Sequence, residues 1–231
     1  PLIRPTLQFL STETVQRIID EALQLLEEPG VRVHSARALA LLGDHGARVD
    51  PQSRVAHIPA DLARRAAASA PRSFYLHDAA GRPVVHYGDD DVHFDPGSAA
   101  IEIVDYGART SRPPVTADLV RTIQLTETLP AYDAVSTSLV CADVPEDMGD
   151  LYRLYLVLLT ARKPVVTGAF AIDTWHVMKD MLVATVGSEA ALAEKPVAVF
   201  DVCPSPPLLW SEITCENLMD CARYRIPAEL V

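Results

Sequence analysis

The sequence predicts an α/β protein that contains the first half of a TIM-like (β/α)8 barrel, preceded by a helical segment and a small antiparallel β meander. From about residue 115, short apolar runs alternate with helix-length stretches, which indicates parallel strands joined by crossover helices. The predicted strands begin near residues 134, 165, 197 and 228, so they are 31, 32 and 31 residues apart. A doubly wound dinucleotide fold should show a glycine-rich turn after its first strand. No such G-x-G-x-x-G motif occurs, which favours the barrel.

A complete barrel of this kind needs about 250 residues. Only three β/α units and a fourth strand follow residue 130, so we expect the chain to be the front part of a longer protein. Residues 115–231 are predicted to form the first half of the barrel, truncated at its C-terminal side. Residues 1–72 are predicted to form the N-terminal helical segment, and residues 73–114 the meander.

The helical segment is predicted from amphipathic spacing and from capping residues. Ser11 is a suitable N-cap for a first helix, which Pro29 and Gly30 end. Ser35 is a suitable cap for a second helix, and a third is expected over about residues 60–68. Three short amphipathic helices need a further surface to cover their apolar faces.

The meander is predicted from four short runs of β-type residues that glycine and aspartate turns separate. These runs are Phe74–Leu76, Val84–His86, Val92–Phe94 and Ile101–Val104.

The barrel half is predicted to begin with a helix that Thr116 caps. Strands and helices then alternate up to a last strand at the end of the chain. The expected strands cover residues 134–141, 164–170, 196–202 and 226–231, and the expected helices cover about 146–161, 173–186 and, after a cap at Ser211, up to about 224.

Composition and charge exclude several classes of function. The 231 residues carry a formal net charge of −11, and this argues against a nucleic-acid surface, which needs a basic patch. No apolar run approaches the roughly 20 residues of a membrane-spanning helix. The four cysteines are scattered without a C-x-x-C pair, which is typical of a reduced, cytoplasmic protein.

The cluster of acids and histidine over residues 89–95 is the part of the sequence that most resembles a metal site. On a strand, Asp91, His93 and Asp95 would share one face, and the outer two would lie about 13 Å apart. That separation is too large for one ion, and Asp89–Asp91 are natural turn formers. We therefore predict no metal at this cluster.

Ordered landmarks along nearly the whole chain resemble the trimethylamine methyltransferase (MttB-like) family. The strongest are Phe94-Asp-Pro-Gly-Ser98 and the block from Val104 to Asp118. Others precede and follow them in the same order. They are Leu10-Ser-Thr-Glu-Thr14, Leu26-Glu-Glu-Pro-Gly-Val31, Gly46-Ala-Arg-Val-Asp50, His57-Ile-Pro59, Asp143-Val-Pro145, Thr160-Ala-Arg-Lys-Pro-Val165 and Cys203-Pro-Ser-Pro-Pro-Leu208.

The resemblance implies a corrinoid-dependent methyltransferase on a TIM-like barrel. Such enzymes move a methyl group from trimethylamine, or from a quaternary amine such as glycine betaine, to the Co(I) of a corrinoid (cobalamin) carried by a separate protein. It implies a cognate corrinoid protein as partner, and homo-oligomer formation is left open. The family's catalytic and corrinoid-facing residues are expected beyond Val231, so none is assigned here.

Candidate substrate-binding residues are those at the C-terminal ends of the predicted strands, where barrel enzymes have their active sites. A methylammonium group carries a diffuse positive charge, which aromatic faces attract and a carboxylate balances. Phe170, Asp201 and Ser205 stand at these strand ends and are the residues we predict to bind substrate.

Two other functions are also compatible with the sequence. The chain could be a noncatalytic relative or fragment with an assembly role, in which Val15, Ile19 and Leu26 of the first helix contact a partner. It could also be a metal-dependent barrel hydrolase that uses the Asp/His cluster.

Overall fold

The structure, a computed structural model, describes residues 7–231, and these residues form two compact units. The first unit consists of residues 7–70 with Ser205–Glu212, and the second of Pro71–Pro204 with Ile213–Val231. Residues 1–6 of the predicted helical segment lie outside the described residues. Within the described part, no helix is both long and apolar enough to cross a membrane.

Helices and strands alternate along most of the described chain. The helices are α1 (Thr12–Glu27), α2 (Ala36–Asp44), α3 (Ala60–Ser69), α4 (Thr116–Thr128), α5 (Gly149–Thr160), α6 (Ile172–Val186), α7 (Glu189–Glu194) and α8 (Glu212–Tyr224), with a 3-10 turn at Glu146–Met148. The strands are β1 (Val31–Val33), β2 (Arg48–Asp50), β3 (Val55–His57), β4 (Phe74–His77), β5 (Pro83–Tyr87), β6 (Ile103–Val104), β7 (Ser111–Arg112), β8 (Val135–Ser136), β9 (Val165–Thr167), β10 (Ala198–Val202), β11 (Leu209–Trp210) and β12 (Ala228–Leu230).

The first unit contains the three predicted helices and a small sheet that the sequence pattern did not indicate. The predicted caps are confirmed, because the hydroxyls of Ser11 and Ser35 accept the backbone N–H groups of Thr14 and Ala38, each at 3.1 Å. The sheet has the order β11-β1-β3-β2, and β11 pairs with β1 in parallel. No residue of α1 is buried, and its apolar residues Val15 and Ile19 are exposed.

The second unit is an α/β layer on a parallel sheet, as the strand spacing predicts. The sheet has the order β12-β10-β9-β8, so strands that follow one another in this unit are neighbours. The described residues form an open sheet of four strands, with no closed barrel among them. The α/β class with parallel strands is confirmed, and the barrel remains a prediction.

Alternate residues of the parallel strands pack against two different layers. Val165 and Phe200 belong to the core that the helices of this unit form. Val166 and Val199, one position along each strand, pack instead against Leu76 of the hairpin β4–β5. Because successive side chains of a strand point to opposite faces, the helices cover one face of the sheet and the hairpin covers the other.

The predicted four-stranded meander is wrong in its pairing. Two separate two-stranded ribbons occur, β4 with β5 and β6 with β7, and Val92–Phe94 is not a strand. In that segment the polar groups form hydrogen bonds to several different neighbours. His93 Nε2 accepts the N–H of His86, and the carbonyl of Phe94 accepts the N–H of Asp133. A pairing ladder is therefore replaced by individual tertiary hydrogen bonds.

Asp118 ties the β6–β7 ribbon to the start of α4. Its carboxylate accepts hydrogen bonds from Arg112 at 2.7 and 3.1 Å and from the N–H of Val115 at 2.9 Å. Arg112 also donates to Asp105 at 2.9 and 3.1 Å. Thr116, predicted as the N-cap, is instead the first helical residue, because the Asp118 carboxylate performs the capping from within the first turn.

Replacing Asp118 with alanine is expected to lower the free energy of unfolding by about 1–3 kcal/mol, because a buried carboxylate with three hydrogen bonds is lost. Hydrogen bonds from Arg112 and Val115 lower the pKa of Asp118 to about 2 from its usual 3.8. Its contribution is therefore present above about pH 4 and is lost as the pH falls towards 2.

Urea denaturation at pH 7 measures this loss, and a pH series shows where it disappears. The exposed Asp44, replaced by alanine, is the control and should change stability by no more than about 0.5 kcal/mol. Equal midpoints for the two variants would contradict the role given to Asp118.

Candidate functional site

Two acids stand side by side at the C-terminal edge of the parallel sheet. Asp201 on β10 is paired in register with Glu229 on β12, so the two side chains emerge on the same face. Asp201 follows Val199 by two residues, and this places both acids on the face that the β4–β5 hairpin covers. The edge is the one at which parallel α/β proteins commonly bind their ligands.

Hydroxyl groups from two different segments hold the acids in place. The Tyr87 hydroxyl donates to Glu229 Oε2 at 2.9 Å, and the Ser98 hydroxyl donates to Asp201 Oδ2 at 2.8 Å. Tyr87 is itself fixed, because its ring stacks on Phe74 with a centroid distance of 4.7 Å. Among the described residues, the buried Asp201 Oδ1 has no hydrogen-bond partner.

Burial and neighbouring negative charge favour the protonated form of Glu229. Burial is the largest cause that raises its pKa, to about 7. The adjacent Asp201 raises it further, because it can accept a hydrogen bond from protonated Glu229 and because it is negatively charged. The charge of Asp95 acts in the same direction, while the hydrogen bond from Tyr87 opposes the shift. Burial, followed by the charge of Glu229, also raises the pKa of Tyr87, so its hydroxyl stays a donor.

A cavity of about 280 Å³ is lined by Glu229 of this pair, and Asp201 is not among its lining residues. Its lining combines aromatic side chains with carboxylates, including Tyr87, Phe94, Asp95 and Glu229. His86 and His93 also line it, and each is engaged with a carboxylate. The arrangement suits a small cation with an apolar surface, because rings attract diffuse positive charge and carboxylates neutralise it.

The Asp/His cluster is divided among separate contacts. His86 Nδ1 lies 2.7 Å from Asp91, and His93 Nδ1 lies 3.0 Å from Asp133. Asp95 accepts the N–H of Gly97 at 2.8 Å. The predicted common strand face of Asp91, His93 and Asp95 is wrong, since no strand forms there. In the described part of the chain, no group of three or more potential ligands is arranged to hold a metal ion.

Only one of the three predicted substrate-binding residues belongs to this network. Asp201 forms it with Glu229, as described. Phe170 follows β9 and is 50% exposed, and its ring lies 4.3 Å from the guanidinium of Arg153. Its N–H donates to Asp150 at 2.8 Å. Ser205 belongs to the first unit, where its backbone exchanges two hydrogen bonds with Leu209.

Sequence reasoning missed Glu229 and Tyr87. The sequence contains a usable signal for Glu229, because an acid near the end of one parallel strand, beside a strand with Asp201 near its own end, predicts a carboxylate pair. No sequence signal identifies Tyr87, since 142 residues separate it from the acid to which its hydroxyl donates.

Comparison with known proteins assigns the chain to a family. The protein family described as trimethylamine methyltransferase (MTTB) matches residues 3–231. The trimethylamine methyltransferase MttB of Desulfitobacterium hafniense is 24% identical over 221 residues, which are 96% of this chain and 45% of that protein. Its counterpart in Methanosarcina thermophila is 24% identical over 236 residues, 97% of this chain and 48% of that protein.

A third relative has a different named substrate. The proline betaine:corrinoid methyltransferase of Eubacterium limosum is 24% identical over 237 residues, which are 97% of this chain and 47% of that protein. The chain thus spans about half the length of the curated relatives that it matches. Because the family match covers nearly the whole sequence, the chain belongs to the trimethylamine methyltransferase (MttB) family.

Proposed function

We propose that this chain is part of an enzyme that moves a methyl group from trimethylamine, or from a quaternary amine such as a betaine, to the Co(I) of a corrinoid on a separate protein. The observation that carries the proposal is the carboxylate pair Asp201–Glu229, of which Glu229 lines a cavity with aromatic walls. The relatives support it, since they are named as methyltransferases of trimethylamine and of proline betaine. We also propose that the parallel sheet is the first half of a (β/α)8 barrel and that the protein is cytoplasmic.

The pair would act on the substrate by binding and orientation. Asp201 and Glu229 would balance the positive charge of the methylammonium group, and the rings of Tyr87 and Phe94 would contact its methyl groups. The main contribution of the protein to such a reaction is to hold one methyl group in a fixed orientation. Phe170 and Ser205 remain proposed contacts for other parts of the substrate.

The corrinoid supplies the nucleophile, a reduced cobalt that accepts the methyl group. The described residues offer a site for a cation, and their histidines beside the cavity are engaged with carboxylates. The donor set at the cavity therefore fits the amine and not the corrinoid. We assign no residue of the chain to the corrinoid and propose that the partner protein carries it.

A methyl-transfer assay on the full-length protein tests the proposal. The protein is mixed with reduced corrinoid protein or free cob(I)alamin and, in turn, with trimethylamine, glycine betaine, proline betaine and carnitine. We expect methyl-cobalt to form, as followed by absorbance, with at least one of these amines. The proposal is wrong if none of the four yields methyl-cobalt under conditions in which the corrinoid remains reduced.

A noncatalytic assembly role is the second candidate, and the exposed apolar side chains of α1 favour it. Val15, Ile18 and Ile19 lie on this helix and are each more than 40% exposed. An assembly role predicts that the full-length protein fails the methyl-transfer assay. It also predicts that Ile19→Glu dissociates the assembly, so that a lower molecular mass is measured in solution. Methyl transfer by the wild-type protein would exclude a purely structural role.

A further inference from the structure

The carboxylate pair at the sheet edge lacks one hydrogen-bond donor. Tyr87 donates to one oxygen of Glu229, and Ser98 donates to one oxygen of Asp201. The other oxygen of Asp201, Oδ1, is buried and has no donor among the described residues. An unsatisfied buried carboxylate oxygen is costly. The neighbouring carboxyl group of Glu229 can satisfy it if that group carries a proton.

The surroundings of the pair favour this proton. Tyr87 on β5 and Asp95 in the following loop are the groups that act on Glu229, besides Asp201 itself. The titratable groups that line the rest of the cavity are His86, Asp89, Asp91 and His93, and no Lys or Arg is among the described lining residues. His86 and His93 face Asp91 and Asp133, so each histidine already has a carboxylate of its own. Two adjacent carboxylates with no cation between them cannot both be ionised cheaply.

We propose that Asp201 and Glu229 share a single proton in the ligand-free protein, and that a methylammonium cation displaces this proton when it binds beside them. This inference rests on the proposed function for the kind of ligand that enters the cavity. The exchange balances: the protonated pair and the free cation give a doubly ionised pair with the bound cation, and one proton passes to the solvent. The bound cation then takes the place of the proton between the two acids.

This exchange makes the affinity of the protein for the cation depend on pH. Below the pKa of the pair, the cation must first displace a proton, so its apparent affinity falls as the pH falls. The pKa of Glu229, raised to about 7, sets the window. Between about pH 7 and pH 5 the affinity should decrease by up to about tenfold per pH unit, and above about pH 8 it should be constant.

Calorimetric titration of the full-length protein with choline tests the coupling. Choline has a permanent charge and no proton to lose in this range, so any released proton comes from the protein. Titrations at pH 6 and pH 8.5, each in two buffers with different ionisation enthalpies, give the number of protons released per cation bound. We expect a value approaching one at pH 6 and near zero at pH 8.5. The uncharged analogue 3,3-dimethyl-1-butanol should release none.

Matched variants identify the source of the proton. Glu229→Gln keeps a donor for Asp201, so the fold should be retained, while proton release at pH 6 and the pH dependence of affinity should disappear. Glu194→Gln removes the same charge from an exposed position on α7 and should behave as the wild-type protein does.

The outcomes separate this inference from the proposed function. Choline that binds equally well at pH 6 and pH 8.5 without proton release overturns the shared proton and leaves the cation site standing. Release that persists in Glu229→Gln places the proton elsewhere and also overturns it. If choline and the methylated amines bind at neither pH, the cation site itself is wrong, and the proposed function loses the observation that carries it.

Discussion

The double substitution Asp201→Asn with Glu229→Gln is expected to lower kcat/KM for methyl transfer by at least about 100-fold, mainly by raising KM. Losing a close, partly buried charge partner typically costs about 2–5 kcal/mol, which corresponds to roughly 30-fold to several thousand-fold. Both replacements keep the shape and an oxygen acceptor, so the hydrogen bonds from Ser98 and Tyr87 can persist. Steady-state methyl transfer with the full-length protein measures the effect.

The single substitutions should have smaller effects than the double one. Asp201 is among the causes that raise the pKa of Glu229, because it can accept a hydrogen bond from the protonated form and because it is negatively charged. In Asp201→Asn the pKa of Glu229 therefore falls, and Glu229 is ionised at neutral pH. One negative charge then remains beside the cavity, and a cation can still bind. The pair is thus expected to be strongly non-additive, as residues in contact generally are.

The matched control removes the same two charges from exposed positions. Asp44→Asn with Glu194→Gln changes net charge by the same amount, and it should leave kcat/KM within about twofold. An equal loss in the control and the test variant would mean that total charge, and not the sheet-edge pair, governs substrate binding. A loss confined to kcat, with KM unchanged, would also argue against a site that mainly binds the cation.

The features that sequence reasoning could predict are those with a local or periodic signal. The 31- and 32-residue spacing of strand starts gave the parallel sheet of the second unit, because each repeat is one strand with its crossover helix. Ser11 and Ser35 predicted where two helices begin, since an N-cap residue and the N–H group that it accepts lie within three residues. Asp201 was found because an acid at the end of a buried strand is unusual and visible.

The features that it could not predict depend on contacts between distant residues. Strand β11 pairs with β1 through Arg32 and Leu209, and a two-residue strand has too little pattern to identify. The first-unit sheet was missed for this reason, as its strands are each two or three residues long. The Tyr87–Glu229 bond is likewise a product of the whole fold. Local periodicity carries no information about which distant segments meet.

Replacing Trp175 with alanine is expected to lower the free energy of unfolding by about 3–5 kcal/mol, the largest effect on stability in this set. The indole on α6 is fully buried, and its ring lies 5.4 Å from that of Phe200 and 5.7 Å from that of Tyr224. Phe200 belongs to β10, an inner strand of the parallel sheet. The substitution would therefore leave an empty space where the helices pack on the sheet that carries Asp201. A protein is typically stable by only about 5–15 kcal/mol, so this is a large fraction.

Urea denaturation followed by far-UV circular dichroism measures the loss. Tryptophan fluorescence is less suitable, because Trp210 in the first unit also contributes to that signal. Trp175→Phe should recover more than half of the stability, since a ring refills most of the volume. Leu159→Ala, on α5 and 64% exposed, is the control and should cost no more than about 0.5 kcal/mol. If Trp175→Ala unfolded at the same urea concentration as Leu159→Ala, the helix layer would not be the core that supports the strand ends. The geometry of the carboxylate pair would then have to be maintained by the β4–β5 hairpin alone.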